Sequence, residues 1–295
     1  MSEAADELAN RRLEHPPSGR DTTGGPVDRV TGFYASLEPN LPKWVSDMYQ
    51  SGDLAVGEEG LHIPDASCKI FPDDSHAIVI TSGYLDLFQA VAGDLCAGVT
   101  HLSDGTILEP QLSPVDMVLR IASLLRQFRD KFLIDGHALD TYSLELSPNL
   151  QRLAHNLAMA AGLFAFAHEL GHVGAKAKTV NNPGTSEEQD ADIFAFTLLL
   201  AAAPRLNLGM SYAGALFSLR LHACLERAGF RFSDPSRSLQ ERVAWLKGGI
   251  RTKLSSGLIE RNDFAWIEVV LDRFLAPVEK LLPALDQAQN PQNIL

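Results

Sequence analysis

The segment Ser147–Gly174, "SPNLQRLAHNLAMAAGLFAFAHELGHVG", decides how this chain folds. It opens with Ser followed by Pro, a combination typical of the first turn of a helix. Its second half is apolar almost all round, and a helix with that composition is buried on every side. The sequence therefore predicts a long central helix beginning near Ser147, with the rest of the domain packed around it.

Two histidines and a glutamate interrupt the apolar half of this helix, in the pattern His-Glu-x-x-His. Positions four apart share a helix face, so His168 and His172 can bind one zinc ion at about 2.0–2.1 Å. Glu169 lies beside the pair, poorly placed to be a ligand but able to take a proton from water as a general base. The pattern alone leaves an alternative open, in which the three side chains are simply hydrogen-bonded in the core.

A third ligand is offered by the stretch "TSEEQDADIFAF", which follows a loop and is predicted to be helical. Glu188 and Asp192 are four apart and share a face of that helix. Glu188 would complete a His-His-Glu set with the fourth position open, which is the arrangement of catalytic zinc. Asp192 would accept the outward N–H of His168 and fix its tautomer.

The acidic residues at the start of this helix have a second interpretation. Thr185 and Glu188 have the spacing of a capping box, and acidic residues are common in first helical turns. The Glu-x-x-x-Asp spacing after the second histidine favours the metal site. Glu187 and Asp190 are expected to point elsewhere and to be solvated.

Composition excludes several classes of protein. Of the 295 residues, 45% are hydrophobic and 21% are charged, as in an ordinary globular protein. The net charge of −12 and the lack of any basic run argue against nucleic-acid binding. The apolar stretches are shorter than the roughly 20 residues that span a bilayer, so we expect no membrane insertion. Three widely spaced cysteines, without a CxxC pair, fit a reducing compartment, and we expect a cytoplasmic protein.

The chain is predicted to be mainly α, of the α+β type, with a small β-sheet in its N-terminal third. Residues 1–28 are rich in charge, Pro and Gly and are expected to be a mobile tail. Residues 29–295 are expected to form one domain. Its parts are a β-containing region over 29–110, active-site helices over 111–204 ended by Pro204, and a helical region over 205–295.

At its two motifs the chain resembles the gluzincin metallopeptidases, whose signature is HExxH followed by a helix with ExxxD. Here these are His168 to His172 and Glu188 to Asp192. The segment "SEEQDADIFAFTLLL" is similar to the corresponding helix of the HtpX-like peptidases and of the Lit-type phage-exclusion peptidases. The Lit type is nearest, because it shares the long apolar helix before the motif and a similar size. The ImmA/IrrE-type peptidases resemble the chain less. The resemblance covers residues 150–204.

The resemblance implies a helical zincin-like domain, a protein or peptide substrate and a sheet edge that holds the substrate extended. We assign the edge-strand role to residues 77–82, within "HAIVITSGY", with an internal strand as the alternative. Related peptidases often carry an HP…ER element after the glutamate helix. This chain has "SDPSRSLQERVAWL", with Asp234 at the histidine position.

The residue that stabilises the oxyanion is left open by this departure. Arg242 could do so or could orient Glu188, and it could equally be a surface residue on an amphipathic helix. Tyr142, Tyr212 and His222 are the other candidates.

Taken together, the motifs predict a zinc-dependent metalloendopeptidase that hydrolyses peptide bonds with a zinc-activated water and Glu169 as general base. Its activity is expected on a specific protein, in regulation or phage defence. The alternatives are a zinc-binding sensor or scaffold without turnover and a helical interaction protein without metal. The intact Glu169 favours the enzyme, because a site kept only for structure does not need a base.

Overall fold

The structure, a computed structural model, describes residues 2–17, 27–98, 110–134, 144–176, 186–206, 211–230, 239–255, 273 and 275–288. It is mainly helical, with a small mixed sheet in the N-terminal third, which confirms the predicted fold class. The helices are α1 (Glu3–Glu14), α2 (Arg29–Leu37), α3 (Lys43–Ser51), α4 (Ser82–Ala97), α5 (Pro114–Ile134), α6 (Pro148–Lys176), α7 (Glu187–Leu206), α8 (Ser211–Arg227), α9 (Leu239–Ser255) and α10 (Ala276–Ala288), with a 3₁₀ turn at Glu38–Asn40. The strands are β1 (Leu54–Glu59), β2 (Ala66–Ile70) and β3 (His76–Thr81).

The contacts within the chain divide it into two compact units. The first comprises residues 1–87 and 160–211, and the second comprises residues 88–159 and 212–295. The sequence analysis treated residues 29–295 as one domain. Both α4 and α6 contribute residues to each unit, so a boundary of this kind leaves no loop or linker for a sequence to reveal.

The sheet has the order β1-β3-β2, with β3 parallel to β1 and antiparallel to β2. The prediction that residues 77–82 form an edge strand is therefore wrong: β3 is the central strand, and Ile78 lies between Val56 and Cys68. All six residues of β3 are buried. Its β-branched run is typical of a strand covered on both faces, whereas β2 is a partly exposed edge.

α1 covers one face of the sheet through two buried residues, Ala4 and Leu8, which pack against Ala55, Ala77 and Val79. The prediction of a mobile tail is wrong over this helix; residues 18–26 of the predicted tail lie outside the described residues. Two apolar contacts among mostly charged residues are too few to show a helical pattern in the sequence.

Residues far along the chain cap α1. The first helical N–H groups have no partner within a helix and need one from outside. The N–H of Glu3 donates to a carboxylate oxygen of Asp73 at 2.8 Å, and the N–H of Ala4 donates to the Ser75 hydroxyl at 3.0 Å. The turn between β2 and β3 therefore completes the start of α1.

Strand β1 contains a fully buried carboxylate, Glu58. Its oxygens accept a hydrogen bond from the Ser82 hydroxyl at 2.6 Å and form an ion pair with Arg29 at 2.6 Å. A buried charge of this kind is tolerated only with such partners. The network joins β1 to the starts of α2 and α4.

In the first unit, α6 lies in close contact with α2. A β-carbon on Gly162 would come within 2.6 Å of the Phe33 ring, so glycine is needed where the two helices meet. Phe33 also contacts Phe166, with ring centroids 6.5 Å apart. Farther along, Phe194 of α7 packs against Trp44 of α3. These contacts fix the positions of α6 and α7.

Helix α7 continues through Pro204 to Leu206, so the prediction that Pro204 ends this helix is wrong. A proline removes one backbone hydrogen bond and clashes with the preceding turn. Pro204 lies in the last turn of α7, with only two helical residues after it. The lost hydrogen bond and the clash therefore affect only the end of the helix.

All regular secondary structure described in the second unit is helical. Phe128 of α5 packs against Phe230, with centroids 6.0 Å apart, and Asp94 of α4 pairs with Arg120 of α5 at 3.0 Å. Within the described residues of both units, no helix has the length and apolarity needed to cross a membrane.

Candidate metal centre

The last third of α6 carries His168 and His172 on one face. Neighbouring side chains, among them Leu170 and Val173, are completely buried, and this packing fixes the helix. The two imidazole rings are almost perpendicular, at 87°, with centroids 4.7 Å apart. Their Nε2 atoms face each other at 3.1 Å.

The start of α7 supplies the third group. Helix α7 begins at Glu187, and the hydroxyl of Ser186 accepts the N–H of Gln189 at 3.3 Å, as an N-cap does. Thr185, the capping residue considered in the sequence analysis, lies outside the described residues. The carboxylate of Glu188 reaches both histidines, with Oε1 3.3 Å from Nε2 of His172 and Oε2 3.4 Å from Nε2 of His168.

A glycine lets these two helices come together. A β-carbon on Gly171 would lie 2.6 Å from Cα of Ala191 and 3.1 Å from its carbonyl oxygen. No real side chain tolerates such a contact with backbone. The small Gly171 therefore admits the backbone of α7 close to α6.

The spacing of the three groups fits a tetrahedral metal ion. At bond lengths of about 2.0–2.1 Å, two ligand atoms of a tetrahedral site lie roughly 3.3–3.4 Å apart. The distances among the two Nε2 atoms and the oxygens of Glu188 are 3.1, 3.3 and 3.4 Å. When each ring is neutral and carries its proton on Nδ1, which faces a carboxylate, both Nε2 atoms present lone pairs towards Glu188, and a cation fits among these atoms.

A group of possible ligand atoms from His168, Glu169 and His172 also lies within 4.8 Å. We assign the third ligand to Glu188 instead of Glu169, because Glu188 contacts both Nε2 atoms. Glu169, the next residue after His168 on the helix, is then available as an acid–base group.

Asp192 lies behind His168. Its Oδ1 is 3.0 Å from Nδ1 of His168, and its side chain is 1% exposed. This is the contact expected of a carboxylate that holds a ligand histidine in one tautomer and orientation.

Glu187 lies behind His172, with Oε1 3.0 Å from Nδ1 of that ring. The prediction that Glu187 points away from the site is therefore wrong, although its side chain is 50% exposed to solvent. The prediction that Asp190 is solvated is also wrong, because Asp190 is 3% exposed. Helical spacing relates residues of one helix only, so the sequence held no signal that Glu187 would meet a histidine on another helix.

Burial and charge shape the titration of the site. Burial raises the pKa of Glu169, the positive charges of His168 and His172 oppose it, and the nearby carboxylates of Glu188 and Asp65 add to it. Burial lowers the pKa of His172, but the hydrogen bond to Glu188 and the charge of Glu169 outweigh it, so the pKa is raised overall. Asp65, just before β2, is a neighbour of the site that the sequence gave no reason to expect.

The four candidates for oxyanion stabilisation lie in the second unit or outside the described residues. Tyr212, His222 and Arg242 lie on α8 and α9 in the second unit. Arg242 is near Glu226. Burial raises the pKa of Glu226, and the charges of Arg227 and Arg242 oppose this rise without cancelling it. Tyr142 and Asp234 lie outside the described residues.

Comparison of the chain with protein-family models, with curated proteins and with solved structures finds no match. The gluzincin resemblance therefore rests on the two sequence motifs alone.

Proposed function

We propose that the chain is a zinc-dependent metalloendopeptidase. The observation that carries the proposal is the convergence of His168, His172 and Glu188 at 3.1–3.4 Å beside the buried Glu169. A site that only stabilised the fold would be expected to close its fourth position with another protein ligand. Here three groups converge, and we assign the nearby carboxylate of Glu169 to acid–base chemistry instead of to the fourth ligand position.

His168, His172 and Glu188 are the residues that would hold the ion. When bound, zinc lowers the pKa of water toward about 7 and polarises a carbonyl group. Asp192 keeps His168 in the tautomer whose Nε2 lone pair faces the site. The close contact of Gly171 with Ala191 holds α7, and with it Glu188, against α6.

Glu169 supplies the acid–base chemistry in this proposal. Its carboxylate takes a proton from the attacking water and passes that proton to the leaving amine. Because the side chain is only 8% exposed, bulk water is largely kept from it. The surrounding apolar residues, such as Leu170, keep the carboxylate in a fixed position.

A protein or peptide segment is the proposed substrate. Strands β1 and β2 are the two edges of the sheet, and β1 is fully buried, so the edge that could hold an extended peptide by strand addition is β2. The residue before β2, Asp65, is near enough to Glu169 to raise its pKa, which associates this edge with the site. Cleavage of one specific protein, in regulation or phage defence, is the biological role that the family resemblance favours. Among the described residues no disulfide joins Cys68, Cys96 or Cys224, which favours a reducing, cytoplasmic location.

The test is Glu169→Gln, which removes the base without changing the size of the side chain. We expect elemental analysis to find one zinc per chain in wild type and in this variant, and none in His168→Ala. New peptide N-termini should appear in cells that express wild type and should be missing with Glu169→Gln. Glu145→Gln, an exposed glutamate, is the matched control and should cleave as wild type does.

The outcomes separate the alternatives. Zinc binding by wild type without any difference in N-termini would support a silent zinc-binding scaffold and overturn the peptidase. Full cleavage by Glu169→Gln would overturn the role of Glu169. A wild-type protein free of metal would refute the metal centre.

A further inference from the structure

We infer that Glu187 is a positioning residue for the metal ligand His172, so that each histidine of the site is held by its own carboxylate. The inference rests on the proposed metal site and concerns a residue outside the HExxH and ExxxD motifs. Its starting point is the 3.0 Å contact between Oε1 of Glu187 and Nδ1 of His172.

Both edges of the His172 ring meet carboxylates from consecutive residues of α7. Glu188 faces Nε2 at 3.3 Å, and Glu187 faces Nδ1 at 3.0 Å. A ring held at Nδ1 by an acceptor must carry its proton there, which leaves Nε2 as the lone-pair donor. Glu187 therefore selects the tautomer of His172 that can bind a metal, and it also limits rotation of the ring.

The two histidine–carboxylate pairs differ in burial. The side chain of Asp192 is 1% exposed, whereas that of Glu187 is 50% exposed. Water competes for a half-exposed carboxylate and screens its charge. Partners of ligand histidines are worth about 10–100-fold in metal affinity. Glu187 should lie near the lower end of that range and Asp192 near the upper end.

A competing explanation for Glu187 is that it only stabilises α7. Glu187 is the first residue of the helix, where a negative charge interacts favourably with the helix dipole. The two roles can be separated by Glu187→Asp, which keeps the charge in the first turn but shortens the side chain by one methylene. Ser186→Ala is a second control, because it removes the N-cap hydroxyl and leaves Glu187 in place.

The experiment measures the dissociation constant for Zn²⁺ by competition with a chromogenic chelator, on the full chain. For both Glu187→Gln and Glu187→Asp we expect the dissociation constant to rise about tenfold. Asp192→Asn should raise it more, toward about a hundredfold. Ser186→Ala should lower the melting temperature and leave the dissociation constant as in wild type.

A second readout follows the Nδ1–H protons of the histidines by NMR in the zinc-loaded protein. In wild type both should be observable, because each Nδ1 atom lies 3.0 Å from a carboxylate oxygen. In Glu187→Gln the Nδ1–H proton of His172 should exchange faster with water, while that of His168 stays unchanged. A residue that acted only on helix stability would not produce this selective change.

Wild-type affinity in Glu187→Gln, wild-type affinity in Glu187→Asp, or an equal loss in Ser186→Ala would each overturn the inference. Neither readout requires peptide cleavage. A protein that binds zinc with these effects and cleaves nothing would support Glu187 and refute the peptidase; a protein that binds no zinc would refute both.

Discussion

Gly171→Ala tests the closeness of α6 and α7 at the site. The added methyl carbon would lie 2.6 Å from Cα of Ala191, whereas carbon atoms in contact lie about 3.5–4.0 Å apart. The helices must therefore separate by about 0.9 Å at this point. Ala191 stands between Glu188 and Asp192 on α7, so both carboxylates move with it.

The effect on stability is the balance of two terms. Overpacking against backbone costs about 1–3 kcal/mol, and replacing a helical glycine by alanine gains about 0.5–1 kcal/mol. We expect a net loss of about 1–2 kcal/mol in the free energy of unfolding of the metal-free protein. Urea unfolding measures it.

The effect on the metal should be larger. Metal sites tolerate deviations of about 0.2 Å in ligand distance, well below the expected separation of the helices. The dissociation constant for zinc should therefore rise about tenfold or more. Gly32→Ala is the matched control, because Gly32 lies in α2 and a β-carbon there meets nothing within 4 Å. It should be neutral or slightly stabilising and should leave zinc binding unchanged. If Gly171→Ala matches Gly32→Ala in both measurements, the reasoning about helix contact is wrong.

Three further predictions concern α1 and the metal. Ser75→Ala should lower the free energy of unfolding by about 1 kcal/mol, because the buried hydroxyl caps α1; urea unfolding measures it, and no loss would contradict the cap. The hydrogen bonds from the Ser75 hydroxyl and the Glu3 N–H lower the pKa of Asp73, so its stabilising contribution is present above the pKa of the unfolded chain and is lost as pH falls through the lower folded value. Asp73→Asn should thus differ from wild type in urea midpoint near neutral pH and should begin to converge with it as pH falls below about 4; a constant difference would refute this. Free zinc at 100 times its dissociation constant should stabilise the protein by about 2.7 kcal/mol, which a chelator removes, so equal melting with and without chelator would contradict the site.

The parts of the fold that the sequence predicts well are those whose pattern is local. Pro148 begins α6, directly after Ser147, the serine that the sequence identifies as a helix start. The β-branched run at 77–81 forms a strand. In each case the determining residues lie within a few positions of the element itself.

The parts that the sequence misses depend on distant partners. Strand β1 contains Glu58, and a glutamate in a sequence usually indicates an exposed position. Its burial depends on the ion pair with Arg29 and the hydrogen bond from Ser82, which lie on other elements. Whether β3 is central or at an edge depends on β1 and β2, and neither stands out in the sequence.

The candidate site divides in the same way. His168 and His172 are related by helix geometry, and so are Glu188 and Asp192, so each pair is visible as a spacing. Glu187 and Asp65 join the site only because α7 and the segment before β2 meet α6 in space. No periodicity relates residues on different elements, which is why both were missed.

The capping of α1 from the β2–β3 turn also has a consequence for the order of events during synthesis. Ala4 and Ser75 are 71 residues apart in the chain, so α1 leaves the ribosome long before its partners in the β2–β3 turn exist. A helix of 12 residues is marginal in water by itself. The nascent α1 should therefore stay largely unfolded until β2 and β3 have been synthesised and the sheet has formed.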